Sequence, residues 1–155
     1  MIKYVDEMIC FQEVPDEITL SFSISNCPHN CEGCHSAYLS QDIGFPLKER
    51  LITAVGANSG LITCVLFMGG DDKKQKNELK ECIEYCREHG LKTALYSGGD
   101  DFPSELAEVL DYIKYGHYDK NKGGLTNPAT NQKFLKKEND KWIDITYRFW
   151  KRRPL

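Results

Sequence analysis

The sequence predicts an α/β fold: an open, partial (β/α) barrel followed by a C-terminal loop and hairpin. Three observations carry this expectation. Strand-like apolar runs alternate with helical periods at least three times between about residues 17 and 118, which implies βαβ units and a parallel sheet. The chain has 155 residues, well short of the ~250 that a closed eightfold barrel needs. Short polar or glycine-rich segments follow the strand-like runs, at the strand ends where functional loops of parallel sheets gather. Residues 1–155 are expected to form one domain, with a core over about 17–118 and a loop and hairpin over 119–155.

Taken in order, residues 1–16 give a weak signal, best read as a short pair of edge strands. In residues 17–25, Ile18, Leu20, Phe22 and Ile24 alternate with polar residues, as in a strand with one buried face. A loop dense in Cys, Pro, His, Asn and Gly follows over 26–35. Pro46 opens a helical stretch to about Ala57, with Leu47, Leu51, Ile52 and Val55 on its apolar face. Leu61–Met68 is a continuous apolar run, as in a strand buried on both faces, and it ends in Gly69-Gly70-Asp71. Residues 73–89 read as a helix with Leu79, Cys82, Ile83 and Cys86 inward and Gly90 as its stop. Lys92–Tyr96 is a strand ending in Ser97-Gly98-Gly99-Asp100. Pro103–Leu110 is expected to be a short helix, and Tyr112–Tyr115 a strand closing at Gly116. Asn121–Gln132 should be a loop. Phe134-Leu135, Glu138-Asn139-Asp140 and Trp142–Thr146 together read as a hairpin.

Composition removes several function classes. The net charge is −3, so no bulk attraction to nucleic acid or an anionic membrane is expected. The basic tail Lys151-Arg152-Arg153 is short and reads as a solvated terminus. No apolar run reaches the ~20 residues of a membrane span. The acid-interrupted N-terminus does not read as a signal peptide, so a cytoplasmic location is expected. In a reducing compartment, seven cysteines point to metal, catalysis or core packing rather than disulfides.

The densest chemistry is Cys27-Pro28-His29-Asn30-Cys31-Glu32-Gly33-Cys34-His35. Three thiolates spaced x3 and x2 can wrap one [4Fe–4S] cluster and leave one iron without a protein ligand, a vacancy that four-cysteine electron carriers lack. Spacing alone also admits a zinc site completed by His35 or His29, as in a zinc-binding interaction module. Cys31-Glu32-Gly33-Cys34-His35 matches the c-type haem motif too, although that chemistry belongs outside the cytoplasm. The loop's place after the first strand of a β/α pattern, with Gly-Gly-Asp ending the next, favours the cluster. Cys10, Cys64, Cys82 and Cys86 lie in apolar settings and read as packing.

Cys27-x3-Cys31-x2-Cys34 followed by Met68-Gly69-Gly70-Asp71 resembles the radical S-adenosylmethionine (SAM) superfamily. Three further stretches narrow the resemblance to the activating enzymes of anaerobic ribonucleoside-triphosphate reductase. They are Cys31–Ser36, Gly124-Leu125-Thr126-Asn127-Pro128-Ala129-Thr130-Asn131-Gln132 and Ile143-Asp144-Ile145-Thr146-Tyr147. Two departures stand out: Gly33 replaces the aromatic residue common before the third cysteine, and Asp71 replaces the usual Glu. The resemblance implies a barrel of the radical SAM type, one [4Fe–4S] cluster on Cys27, Cys31 and Cys34, and reductive cleavage of SAM. It also implies a glycyl radical placed on the large reductase subunit, with a flavodoxin or ferredoxin as electron donor. Other glycyl-radical enzymes, or a small molecule, are the alternative substrates. Gly33, Cys34 and His35 would border the adenine. Met68, Gly69, Gly70 and Asp71 would meet the methionine end, and Ser97 and Gly98 the ribose or carboxylate. His117, Asn131 and Gln132 sit at strand ends or in the loop, with roles that the sequence leaves open.

Overall fold

The computed structural model describes residues 1–28 and 37–150. Its framework is one eight-stranded mixed sheet in the order β3-β1-β2-β4-β5-β6-β7-β8. The strands are β1 (Lys3–Cys10), β2 (Thr19–Ile24), β3 (Phe45–Pro46), β4 (Cys64–Met68), β5 (Lys92–Tyr96), β6 (Tyr112–Tyr115), β7 (Lys133–Glu138) and β8 (Lys141–Asp144). Among the described residues there are two α-helices, α1 (Leu47–Ala57) and α2 (Lys76–Glu88).

This corrects the expected open (β/α) barrel of the radical SAM type. Strands β2, β4, β5 and β6 are parallel neighbours, as the alternating pattern implies. Antiparallel strands then extend the sheet on both sides, β1 and β3 on one and β7 and β8 on the other. The third crossover also lacks its helix. Pro103–Leu110 forms only a 3-10 turn over Ala107–Val109, which is too short to cover a sheet as a helix does.

Alternation along the strands explains the two cores. In β4, Val65 and Phe67 point into a cluster with Leu51 of α1 and Leu79, Ile83 and Cys86 of α2. Cys64 and Leu66 point the other way, to Val14, Ala94, Tyr112 and Phe134. Both helices contribute to the first cluster only. The opposite face is covered instead by Val14 and by Leu125, Ile145 and Phe149. Strand β2 is therefore covered on both faces, and Thr19 and Ser21 are buried along with Leu20 and Phe22. On α1 the buried set is Leu47, Leu51, Ala54 and Val55, whereas Ile52, expected inward, is 54% exposed. The expected helix from residue 73 begins as α2 at Lys76, after a turn in which the Gln75 and Lys76 amides donate to the Asp72 carbonyl at 3.0 and 2.9 Å.

Four cysteines serve the cores. Cys10, Cys64, Cys82 and Cys86 are all buried, and burial pushes each thiol up: Cys10 and Cys82 to about 11, Cys86 to about 12, and Cys64 further still. A raised folded-state value means that the stability from burying protonated thiols is complete below the unfolded value of 9.0. It is lost as pH climbs through the folded values, at about 1.4 kcal/mol per pH unit for each titrating thiol. Denaturant unfolding at pH 8 and pH 10 should therefore show a marked drop in stability at the higher pH. That drop should shrink in Cys82→Ala, and an equal drop in the variant would contradict the thiol origin.

Candidate functional site

The C-terminal ends of the four parallel strands form a continuous polar row. After β2 the chain turns through Asn26, at φ +61°, into Cys27. Two backbone bonds close the loop that follows: Asn26 N–H donates to the Gln41 carbonyl at 3.1 Å and Cys27 N–H to the Leu39 carbonyl at 2.8 Å. The Asn26 side chain donates to Asp42 Oδ1 at 3.1 Å, and Lys3 Nζ donates to the same oxygen at 3.0 Å. These two donors hold the Asp42 carboxyl below its usual range. Cys27 thus stands on a fixed stem, half-buried. Cys31, Cys34, Gly33 and His35 lie outside the described residues.

After β4, Gly69 and Gly70 take φ of +100° and +88°, a backbone that side chains other than hydrogen rarely adopt. Gly69 N–H donates to the Tyr96 carbonyl at 2.9 Å. Met68, at the end of β4, is half-buried, and its sulfur accepts from Ser23 Oγ at 3.9 Å. Ser97 Oγ donates to Asp71 Oδ2 at 2.6 Å and accepts from Gly99 N–H at 3.2 Å. The Ser97 hydroxyl, 1% exposed, is therefore engaged within the protein and links the β4 and β5 ends. Gly98, next in the chain, is half-buried. Next along the row, Gly116 N–H donates to the Gly99 carbonyl at 2.7 Å. His117 Nδ1 lies 2.6 Å from Asp100 Oδ1, which also accepts from His117 N–H at 3.0 Å. Asn131 Nδ2 donates to the His117 carbonyl and Gln132 Nε2 to the Gly116 carbonyl, at 3.1 and 3.4 Å. His117, Asn131 and Gln132 thereby fasten the 121–132 loop onto the β6 end.

Sequence reasoning missed Gln75. It is 8% exposed and joins the cysteine loop to the turn after Gly-Gly-Asp. Its Nε2 donates to Asp72 Oδ1 at 2.7 Å, to the Ser25 carbonyl at 3.2 Å and to the Asn26 carbonyl at 3.5 Å. Three acceptors around one nitrogen fix the amide's orientation. The only local signal was the Asp72-to-Gln75 spacing at a helix start, which gives no hint of the carbonyls some fifty residues earlier.

Two cavities open on this row. One, of about 660 Å³, is bounded by Asn26, Cys27, Pro28, Lys73, Lys74 and Gln75 among others. The other, of about 600 Å³, is bounded by Pro28, Asp71, Asp72, Ser97, Gly99 and Phe102 among others. Pro28 and Asp72 border both.

The residues present fit an iron–sulfur group. Cys27 borders the first of these cavities and is half-buried, on a stem closed by its amide bond to the Leu39 carbonyl. The other four are held protonated by burial, the opposite of what a thiolate ligand needs. No group of three or more His, Cys, Asp or Glu among the described residues is placed to hold a metal. No helix among the described residues is long and apolar enough to cross a membrane.

A family model described as a 4Fe-4S single cluster domain matches residues 18–143, a span that holds the whole cysteine loop. Searches of curated proteins and of solved structures gave no match.

Proposed function

The chain belongs to the 4Fe-4S single cluster domain family, and from that premise we propose that it is a radical SAM activating enzyme with its cluster on Cys27, Cys31 and Cys34. Its protein substrate in this reading is the large subunit of an anaerobic ribonucleoside-triphosphate reductase, on which it places a glycyl radical. The observation that carries the reading is the convergence of Cys27 and the Gly69–Asp71 turn on strand ends bordering one pair of cavities. A reactive iron–sulfur centre needs a ligand-binding space beside it, and an electron-transfer domain does not.

A cluster held by Cys27, Cys31 and Cys34 would supply the single electron needed for reductive cleavage of SAM to methionine, with a hydrogen taken from a backbone glycine of the partner. The chain's own residues bind and orient. Gly69 and Gly70 would let the backbone approach the methionine end; packing also demands glycine at 70, where a Cβ would press on the buried Ile2 Cδ1 and Ile24 Cγ2, both at 3.2 Å. Asp71 is held by Ser97 and so keeps that turn in place. Gly33, Cys34 and His35 border the adenine in this reading, and Gly98 the ribose. Gln75 keeps the cysteine loop in register with the turn.

The test is product analysis on anaerobically reconstituted, reduced protein mixed with SAM. Methionine and 5′-deoxyadenosine should appear in equal amounts, and the partner subunit should gain a glycyl-radical doublet by electron paramagnetic resonance. Cleavage without a doublet on the reductase would move the reading to another glycyl-radical enzyme or a small molecule. Absence of cleavage from cluster-loaded protein would end it.

A further inference from the structure

The two consecutive peptide units that deliver Cys27 are each held at both ends. In the unit joining Ser25 to Asn26, the Asn26 N–H donates to the Gln41 carbonyl at 3.1 Å and the Ser25 carbonyl accepts from Gln75 Nε2 at 3.2 Å. In the unit joining Asn26 to Cys27, the Cys27 N–H donates to the Leu39 carbonyl at 2.8 Å and the Asn26 carbonyl accepts from the same Gln75 nitrogen at 3.5 Å. With both planes fixed, the backbone enters Cys27 in one orientation. Asn26 between them lies at φ +61°, a conformation that persists only where its surroundings hold it.

Gln75 is anchored independently of that stem. It caps the N-terminus of α2. Its N–H donates to the Asp72 carbonyl and its carbonyl accepts from the Leu79 N–H, both at 3.0 Å, and Leu79 is fully buried. Nε2 also donates to Asp72 Oδ1 at 2.7 Å, so one amide nitrogen ties the cysteine stem to the turn that follows Gly69-Gly70-Asp71. The other half of the amide is idle. Gln75 Oε1 is buried with no donor among the described residues, which destabilises the fold. An apolar side chain of the same length would avoid that, so packing does not call for glutamine here. What the position uses is the donor.

We infer that Gln75 is a positioning residue whose N–H groups, rather than its shape or its oxygen, set the Cys27 stem against the Asp72 turn, and that SAM cleavage depends on that setting. The inference rests on the activating-enzyme reading above. No bond forms or breaks at Gln75, and its effect is geometric. Misplacing a reacting array by about 1 Å costs on the order of 100-fold in rate.

Three substitutions separate donor from shape. Gln75→Glu keeps the outline and only accepts, Gln75→Met keeps the length and does not donate, and Gln75→Lys changes the outline and only donates, with its charge beside Asp72. On reconstituted protein, kcat for 5′-deoxyadenosine formation should be highest in wild type, then Gln75→Lys. Gln75→Met and Gln75→Glu should fall ~10-fold or more, with the loss in kcat rather than in KM for SAM. Packing alone would make Gln75→Lys the worst of the three. A second readout needs no cluster: amide hydrogen exchange in the apoprotein, followed by nuclear magnetic resonance. Asn26 and Cys27 should lose protection in Gln75→Met and Gln75→Glu and keep it in Gln75→Lys, while unchanged protection of β5 marks each variant as folded. If Gln75→Met unfolds, the contrast between Gln75→Lys and Gln75→Glu decides. Equal kcat and protection in all variants, or Gln75→Lys the worst, overturns the inference. The expected exchange order in a protein whose loaded wild type does not cleave SAM would support Gln75 as the holder of the stem and count against the activating-enzyme reading alone.

Discussion

Cys27→Ala, Cys31→Ala and Cys34→Ala should each yield a folded protein that has lost its iron–sulfur chromophore. A 4Fe–4S group in this family's domain is held by thiolates, and the x3/x2 loop supplies three that can converge. With the cluster on these three cysteines, as proposed, removing one leaves two ligands, and no other described cysteine is exposed or ionised enough to replace it. Outer partners of metal ligands alone are worth about 10–100-fold in metal affinity, so loss of a ligand should cut iron content at least ~10-fold. The fold should tolerate Cys27→Ala because that residue is only half-buried and its backbone bond to Leu39 does not involve the side chain. Cys82→Ala is the contrasting variant. It should keep full iron and sulfide and lose on the order of 1 kcal/mol of stability from a small core void. Iron and acid-labile sulfide assays read both outcomes. Wild-type iron in Cys27→Ala would remove that residue from the ligand set, and iron loss in Cys82→Ala would show that the buried cysteines do more than pack.

That the chain carries an iron–sulfur domain was legible because the signal is local: a polar, Pro- and Gly-bearing loop after a strand has little use for three thiols except a metal. The same holds for β5 and β6, whose bounds are those the sequence predicts, and for α1, which starts just after Pro46. The β7–β8 hairpin was readable too, since Asn139 and Asp140 tolerate the φ of +50° and +62° that its two-residue turn requires. What failed depended on distant partners. Residues 1–16 read as a short pair of edge strands, but one strand, β1, forms there. Eight residues long, it is nonetheless a full member of the sheet, paired to β2 and to β3. The barrel expectation assumed helices after every parallel strand. The covering of the second face by Val14 and by residues of the C-terminal segment has no signature in local periodicity. Gln75 escaped notice for the same reason, because its three acceptors belong to two separate segments.

Gly44→Ala should be the most damaging small substitution in the described protein, although nothing in its neighbourhood marks it in the sequence. Gly44 has φ +101°, and an added Cβ would overlap the Tyr4 carbonyl oxygen and stand 2.8 Å from its carbon. The obstacle is backbone, so no rotamer change relieves it. The surrounding chain is also anchored: Tyr4 pairs with Phe45, and Leu47 N–H donates to the Ile2 carbonyl at 3.0 Å with Leu47 fully buried. Relief therefore requires β3 to leave β1. That movement would carry Asp42, Gln41 and Leu39 away from Asn26 and Cys27, so the damage should reach the cysteine loop. Combining left-handed strain with a backbone clash, the expected cost is about 3 kcal/mol or more, together with poorer cluster loading. Gly56→Ala is the internal comparison. Gly56 lies inside α1, has no heavy atom within 4 Å of an added Cβ and should gain roughly 0.5–1 kcal/mol from better helix propensity. Urea unfolding of both variants should move their midpoints in opposite directions, while iron assays separate loss of fold from loss of cluster. A Gly44→Ala protein as stable as wild type would mean that β3 and the stem behind Cys27 are not held against β1 as described.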